Sequence, residues 1–243
     1  MDKLEYRSLN DQTYDRIKQG LMAATFRPGE VLVIRTIAAT FGVSTTPVRE
    51  ALQRLVAERL LMMKPNRSIA VPELELDAYV ELLRIRCELE GLSADLAAQR
   101  VDTAGLDRLT SLTVEIDGAV EVQDHRSYRA LNQAFHFTLY GEARSPRLFG
   151  IIQDLWGQTG PYVSELFVSE KYGPEANTEH KRILRALHQR DGAEARDGVV
   201  ADITIASQHI LPQLVRMGAE RSTRRQRSRQ TANADPSERD GTR

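Results

Sequence analysis

Residues 131–140 read LNQAFHFTLY. Asn132 and His136 are four apart, so on a helix they share a face beside the apolar stripe of Leu131, Phe135 and Leu139. Two later segments repeat the pattern. His180 falls on the stripe of Leu184 and Leu187, and Asp202 on that of Ala195, Val199 and Ala206. Four oxygen and nitrogen donors on buried helix faces are the ingredients of a divalent-metal shell inside a bundle. The blander reading is a hydrogen-bonded polar pocket with no ion. His209 is a weaker candidate: seven residues beyond Asp202, it sits roughly 10 Å further along the same helix, too far to share one coordination shell. Arg86 and Glu90, also four apart, read as an intrahelical ion pair worth tenths of a kcal/mol.

Such residues need helices to hold them, and the chain supplies them. Its 243 residues fit one large domain or two ordinary ones; 41% are hydrophobic and 28% charged, the balance of a globular protein. Aromatics are few and Gly/Pro punctuation is sparse through the middle, which favours a mostly α fold. No apolar run reaches the roughly 20 residues of a membrane span, and MDKLEYRSLNDQ is too charged for a secretory signal. Cys87 is the only cysteine, which precludes an intrachain disulfide and suits a reducing cytoplasm.

The net charge of −1 conceals a contrast. Residues 1–72 carry 11 Lys/Arg against 7 Asp/Glu, residues 73–218 carry 15 against 23, and residues 219–243 carry 7 against 4. A basic front and an acidic middle suggest two modules, the first facing an anionic partner. The last segment has almost no large apolar residue and is expected to be a disordered basic tail.

In the first module a helix is expected over Gln12–Ala23, then a break at Pro28–Gly29. A second helix carries Ile34, Ile37, Ala38 and Phe41 on its apolar face, and Gly42 suits its left-handed C-cap. Ser44 or Thr45 can cap a third helix with Pro47 in its first turn. That helix buries Val48, Leu52 and Leu55 and shows Thr45, Thr46, Arg49 and Gln53. LLMM and SIAV then form a hairpin around KPNR. Two helices joined at a glycine turn, then a basic hairpin, make a winged helix-turn-helix. Its second helix fits the major groove, with Lys64 and Arg67 of the wing near backbone or minor groove.

Here a family resemblance becomes specific. FRPGEVL, IRTIAATFGVSTTPVREALQRLVAERLL and NRSIAV resemble the N-terminal domain of GntR-type bacterial transcription regulators over about residues 10–72. The resemblance places DNA contacts on Arg35, Ser44, Thr45, Thr46, Arg49 and the wing at Asn66, Arg67 and Ser68. Thr45 stands where relatives commonly carry Arg, and Ser68 where they carry Gly, so the operator sequence does not transfer.

Residues 73–218 read as a bundle of six or seven antiparallel helices. The first is expected over Glu73–Arg100 with Leu82, Ile85, Leu89, Leu92 and Leu96 inward. The others are expected over 104–121, 127–142, 145–170 (interrupted at Pro161), 177–190 and 193–216. RCELEGLSADLAA, NQAFH, EHKRILRAL and RDGAEARDGVVAD resemble the FadR-type C-terminal domain, which binds effectors and dimerises. The resemblance implies a metal shell of Asn132, His136, His180 and Asp202, with Asn132 replacing the usual Asp and Asp202 the last His. The net ligand charge stays at −1 while one nitrogen becomes oxygen, which shifts preference from zinc or nickel toward manganese. It also places Arg86 in an effector cavity, gripping a small organic acid.

The expected function is a homodimeric, ligand-responsive regulator, a repressor that reads a pseudo-palindromic operator. Two rivals are a metal-dependent hydrolase with an appended DNA-binding domain and an architectural DNA-binding protein with a structural bundle. No HExxH or nucleophile motif supports the first; polar groups on buried stripes argue against the second.

Overall fold

The structure, a computed structural model, describes residues 8–163 and 177–233. Three helices open the chain: α1 (Leu9–Met22), α2 (Ile34–Phe41) and α3 (Thr45–Ala57). The Ser8 side chain caps α1 by accepting from the Asp11 N–H at 3.1 Å. Gly42 ends α2 at φ +68°, the left-handed position the sequence reserves for it. Ser44 is the N-cap of α3, but its side chain makes no capping bond and stays exposed. Strands β1 (Met62–Met63) and β2 (Ile69–Ala70) pair antiparallel as the wing. Ile17, Leu21, Val48, Leu52, Leu55 and Leu60 are fully buried and form this module's own core.

Six further helices follow among the described residues: α4 (Leu76–Arg100), α5 (Thr103–Glu121), α6 (His125–Glu142), α7 (Pro146–Thr159), α8 (Thr178–His188) and α9 (Gly192–Asn233). The molecule is thus mostly helical, a winged helix-turn-helix joined to a helical bundle. Arg196 of α9 reaches Glu88 of α4, while Arg221 reaches the Leu74 carbonyl just before α4. The two helices therefore run antiparallel. A second core, with Phe135, Leu139, Trp156, Ile183 and Val199 among its members, fills the bundle. No helix among the described residues is long and apolar enough to cross a membrane.

Three expectations change. The buried face of α4 is Tyr79, Arg86, Glu90, Ser93, Ala94 and Ala97, whereas Ile85 and Leu92 are each 39% exposed. The helix carries two apolar stripes, and the one with small residues packs closer to α9. α7 stops at Thr159, before Pro161, and residues 164–170 of the expected helix lie outside the described residues. α9 runs through residues 219–233, which the composition alone marks as disordered. Ala, Arg and Gln are good helix formers, and neither Gly nor Pro interrupts them there. Arg221 also anchors the segment to the Leu74 carbonyl at 3.3 Å. Residues 234–243 of that tail lie outside the described residues.

Candidate metal and DNA-binding sites

The bundle brings His136 (α6), His180 (α8) and Asp202 (α9) together. His136 Nε2 lies 3.2 Å from Asp202 Oδ2 and 3.3 Å from His180 Nε2, and His180 Nε2 lies 3.8 Å from Asp202 Oδ1. Both histidines are buried, and the Asp202 side chain is nearly so.

The hydrogen-bond network assigns the protons. Tyr140 donates to Glu90 Oε2 at 2.6 Å, so its oxygen is left to accept from His136 Nδ1 at 3.0 Å. Asn177 donates its amide to the Thr113 carbonyl and to Asp117 Oδ1, each at 2.8 Å. Its Oδ1 therefore accepts from His180 Nδ1 at 2.9 Å. Each ring donates from Nδ1 and turns its Nε2 toward the other ring and toward Asp202. Burial pushes His180 down to about 4, so it is neutral near pH 7. Burial works against ionisation of Asp202, but His136, His180 and Arg86 outweigh it and hold the group below its ordinary value.

Two imidazole Nε2 atoms and a carboxylate that face one another this closely need a cation or a shared proton between them. Ligand atoms bound at ~2.1 Å to one ion lie about 3.0–3.5 Å apart, close to the spacings found here. Tyr140 and Asn177 give each ring the outer hydrogen bond that fixes a metal-binding imidazole. The donor set fits a divalent metal.

A cavity of about 40 Å³ adjoins the cluster. Asn132, His136 and Asp202 line it with Arg86, Trp156 and Thr159. Asn132 thus faces the same space as its expected co-ligands, with its Oδ1 3.4 Å from the Tyr128 hydroxyl. His209 is not part of the cluster.

Arg86 is both things the sequence allowed. Its Nε donates to Glu90 Oε1 at 2.5 Å, making the intrahelical pair, and it also lines the cavity. The pair is buried rather than solvated: Glu90 is fully inaccessible. Glu90 also accepts from Tyr140 and, at 2.9 Å, from Trp156 Nε1, while Arg86 Nη1 donates to Thr159 at 3.2 Å. Burial alone would lower the Arg86 pKa; Glu90 raises it above its ordinary value. Sequence reading missed Glu90, Tyr140, Trp156 and Asn177 as functional residues. The spacings of Tyr140, four after His136, of Asn177, three before His180, and of Glu90, four after Arg86, are the signals the chain offers.

In the first module, Arg35, Thr45, Arg49, Arg67 and Ser68 line one open groove of about 490 Å³ between α2, α3 and the wing. Ser44 and Thr46 are exposed beside it at the start of α3. Asn66 Oδ1 is spent inside the wing, accepting from the Ser68 N–H at 3.1 Å and its hydroxyl at 2.7 Å. Arg67 takes the left-handed position at the wing tip, φ +62°. Lys64 turns back onto the Gly29 carbonyl at 3.3 Å.

Residues 9–71 match the bacterial regulatory proteins of the gntR family, and residues 81–204 match the FCD domain. The HTH-type transcriptional regulator McbR of Escherichia coli is 32% identical over 193 residues, 78% of this chain and 86% of McbR. The solved McbR/YncC structure superposes with a TM-score of 0.78 at 30% identity, covering 85% of this chain and 98% of the other. The HTH-type transcriptional repressor GlaR of the same organism is 23% identical over 76% of this chain and 87% of its own. A GntR regulator structure from Rhodococcus sp. RHA1, 22% identical with a TM-score of 0.67 over 86% of this chain and 98% of its own, shares the fold. These relatives regulate transcription, so the hydrolase reading falls away. A winged helix-turn-helix with a cationic groove, followed by an FCD bundle, places the chain in the GntR family of DNA-binding transcription regulators.

Proposed function

We propose that this regulator is a homodimeric, cytoplasmic repressor, released from a pseudo-palindromic operator when a small organic acid binds beside a divalent metal. The observation that carries the reading is the convergence of three metal-ligating groups, His136 Nε2, His180 Nε2 and the Asp202 carboxylate, next to a cavity that Arg86 lines. His136, His180 and Asp202 would hold the ion, with Asn132 as an oxygen donor from the cavity wall. That mixed shell favours manganese over zinc or nickel. A bound divalent ion supplies positive charge for a carboxylate that Arg86 orients. At the other end, Arg35, Thr45, Arg49 and Arg67 share the groove that would meet DNA; Ser44, Thr46 and Asn66 flank it. The dimer reading is supported by the second apolar stripe of α4. Leu82, Ile85, Leu89, Leu92 and Leu96 alternate spacings of three and four, as a helix-pairing seam does, and Ile85 and Leu92 are exposed.

The test is elemental analysis after dialysis against a defined metal mixture. Wild type should retain about one ion per chain, His136→Ala close to none, and His209→Ala a full complement. Wild type without stoichiometric metal would refute the ion. The four residues would then bind an effector directly. Sedimentation tests the dimer.

A further inference from the structure

Helix α7 has two working faces. One lines the cavity: Trp156 donates to Glu90, and Thr159 accepts from Arg86. The other packs on the DNA-binding module. A methyl added at Gly157 would sit 2.6 Å from Leu60 Cδ2. One added at Gly160 would sit 2.6 Å from the Leu21 carbonyl oxygen and 2.8 Å from Met22 Cα. Leu60 and Leu21 are fully buried, so neither contact has slack. Lys18 of α1 ties the same face to Asp154 at 2.6 Å. Just past α7, the Tyr162 hydroxyl accepts from the Leu74 N–H at 2.6 Å, gripping the segment that joins the two modules.

We propose that α7 is the transmission element of this regulator: a ligand entering the cavity pushes α7 against α1 and Leu60 and thereby moves the DNA-binding module. The proposal rests on the reading above that the cavity receives a carboxylate. A space of about 40 Å³ holds only a few waters, so an organic acid must displace a wall. A carboxylate that takes N–H groups of Arg86 competes with Thr159, whose bond at 3.2 Å holds α7 inward. Closely packed interiors carry such a shift onward rather than absorb it. The glycines leave no gap in which the motion could be lost.

The experiment uses the full-length chain and an operator duplex selected from random DNA by wild type. Gly160→Ala is the wedge. Its backbone is right-handed helical (φ −51°, ψ −43°), so the added methyl brings no backbone strain; it meets Leu21 and Met22 first, although Gly160 also borders the cavity. Without any ligand it should bind operator about 5- to 150-fold more weakly, the usual range of an allosteric coupling, with unchanged metal content and circular dichroism. Trp156 is the only tryptophan, so its emission reports on α7 alone. By reciprocity, saturating operator should shift wild-type emission, and Asp154→Asn should reduce that shift. A folded Gly160→Ala with wild-type operator affinity overturns the proposal, as does wild-type emission indifferent to operator. If Gly160→Ala fails to fold, the emission measurements decide. Metal-free wild type with a responsive Trp156 refutes the ion and supports the coupling; metal-loaded wild type with a silent Trp156 does the reverse.

Discussion

Glu90→Gln removes one negative charge from the centre of the bundle while keeping the side chain's shape. Glu90 is fully buried and receives Arg86 Nε at 2.5 Å, Arg86 Nη2 at 3.3 Å, Tyr140 at 2.6 Å and Trp156 at 2.9 Å. The substitution leaves the buried Arg86, 9% exposed as a residue, without its paired carboxylate. Removing one member of a buried ion pair costs about 3–5 kcal/mol, far above the tenths of a kcal/mol for the same spacing on a surface helix. For a protein of this size that lowers the Tm by roughly 10 °C. Arg86→Met/Glu90→Gln removes both charges and should recover about 2–3 kcal/mol relative to the sum of the single changes. Urea titrations followed by circular dichroism on the four proteins supply the cycle. A loss below about 1 kcal/mol for Glu90→Gln, or strict additivity, would show that Arg86 and Glu90 are not one buried unit. The cavity would then have to be more hydrated than its packing implies.

Arg49→Ala should weaken specific operator binding by about 1–3 kcal/mol per half-site with the fold intact, checked by gel shift at fixed salt; unchanged affinity removes it from the contact set. In metal-free protein, His180 has its folded pKa lowered to about 4 against an ordinary 6.5. The unfolded chain binds the proton first, so stability is full above about pH 6.5 and falls as pH drops toward 4, by on the order of 3 kcal/mol. A urea midpoint flat across that window would show His180 to be solvated. Arg221→Ala should lower Tm by a few degrees through loss of its bond to the Leu74 carbonyl; no change would mean that end of α9 is not anchored.

The local parts of this architecture were legible in the chain. Gly42 marks its turn, and the polar start of α3 marks the recognition helix, because caps and turns depend on adjacent residues. His136, His180 and Asp202 could be placed on buried stripes by helical period. What converges on those stripes could not be read. Glu90 looks like any surface partner of Arg86 until the fold brings Tyr140 and Trp156 onto it. Asn177 matters only because α5 offers it the Thr113 carbonyl. The face of α4 was misread because two apolar stripes compete on one helix, and only the close packing of α9 at Gly91 decides between them. The length of α9 was missed because sparse apolar content was weighed above helix propensity.

Asp202 and Arg86 at the cavity, with Glu90 buried behind Arg86, carry two carboxylates against one guanidinium, one net negative charge. A pocket of that sign disfavours a second anion whatever its shape. With a divalent cation held by the histidines and Asp202, the sign inverts, and a monocarboxylate then brings the enclosure to electroneutrality. On the proposed reading, anion recognition would be conditional on cation supply. The regulator would answer to the conjunction of a metabolite and a metal, and a cell starved of the ion would keep its operator occupied even when the acid is abundant.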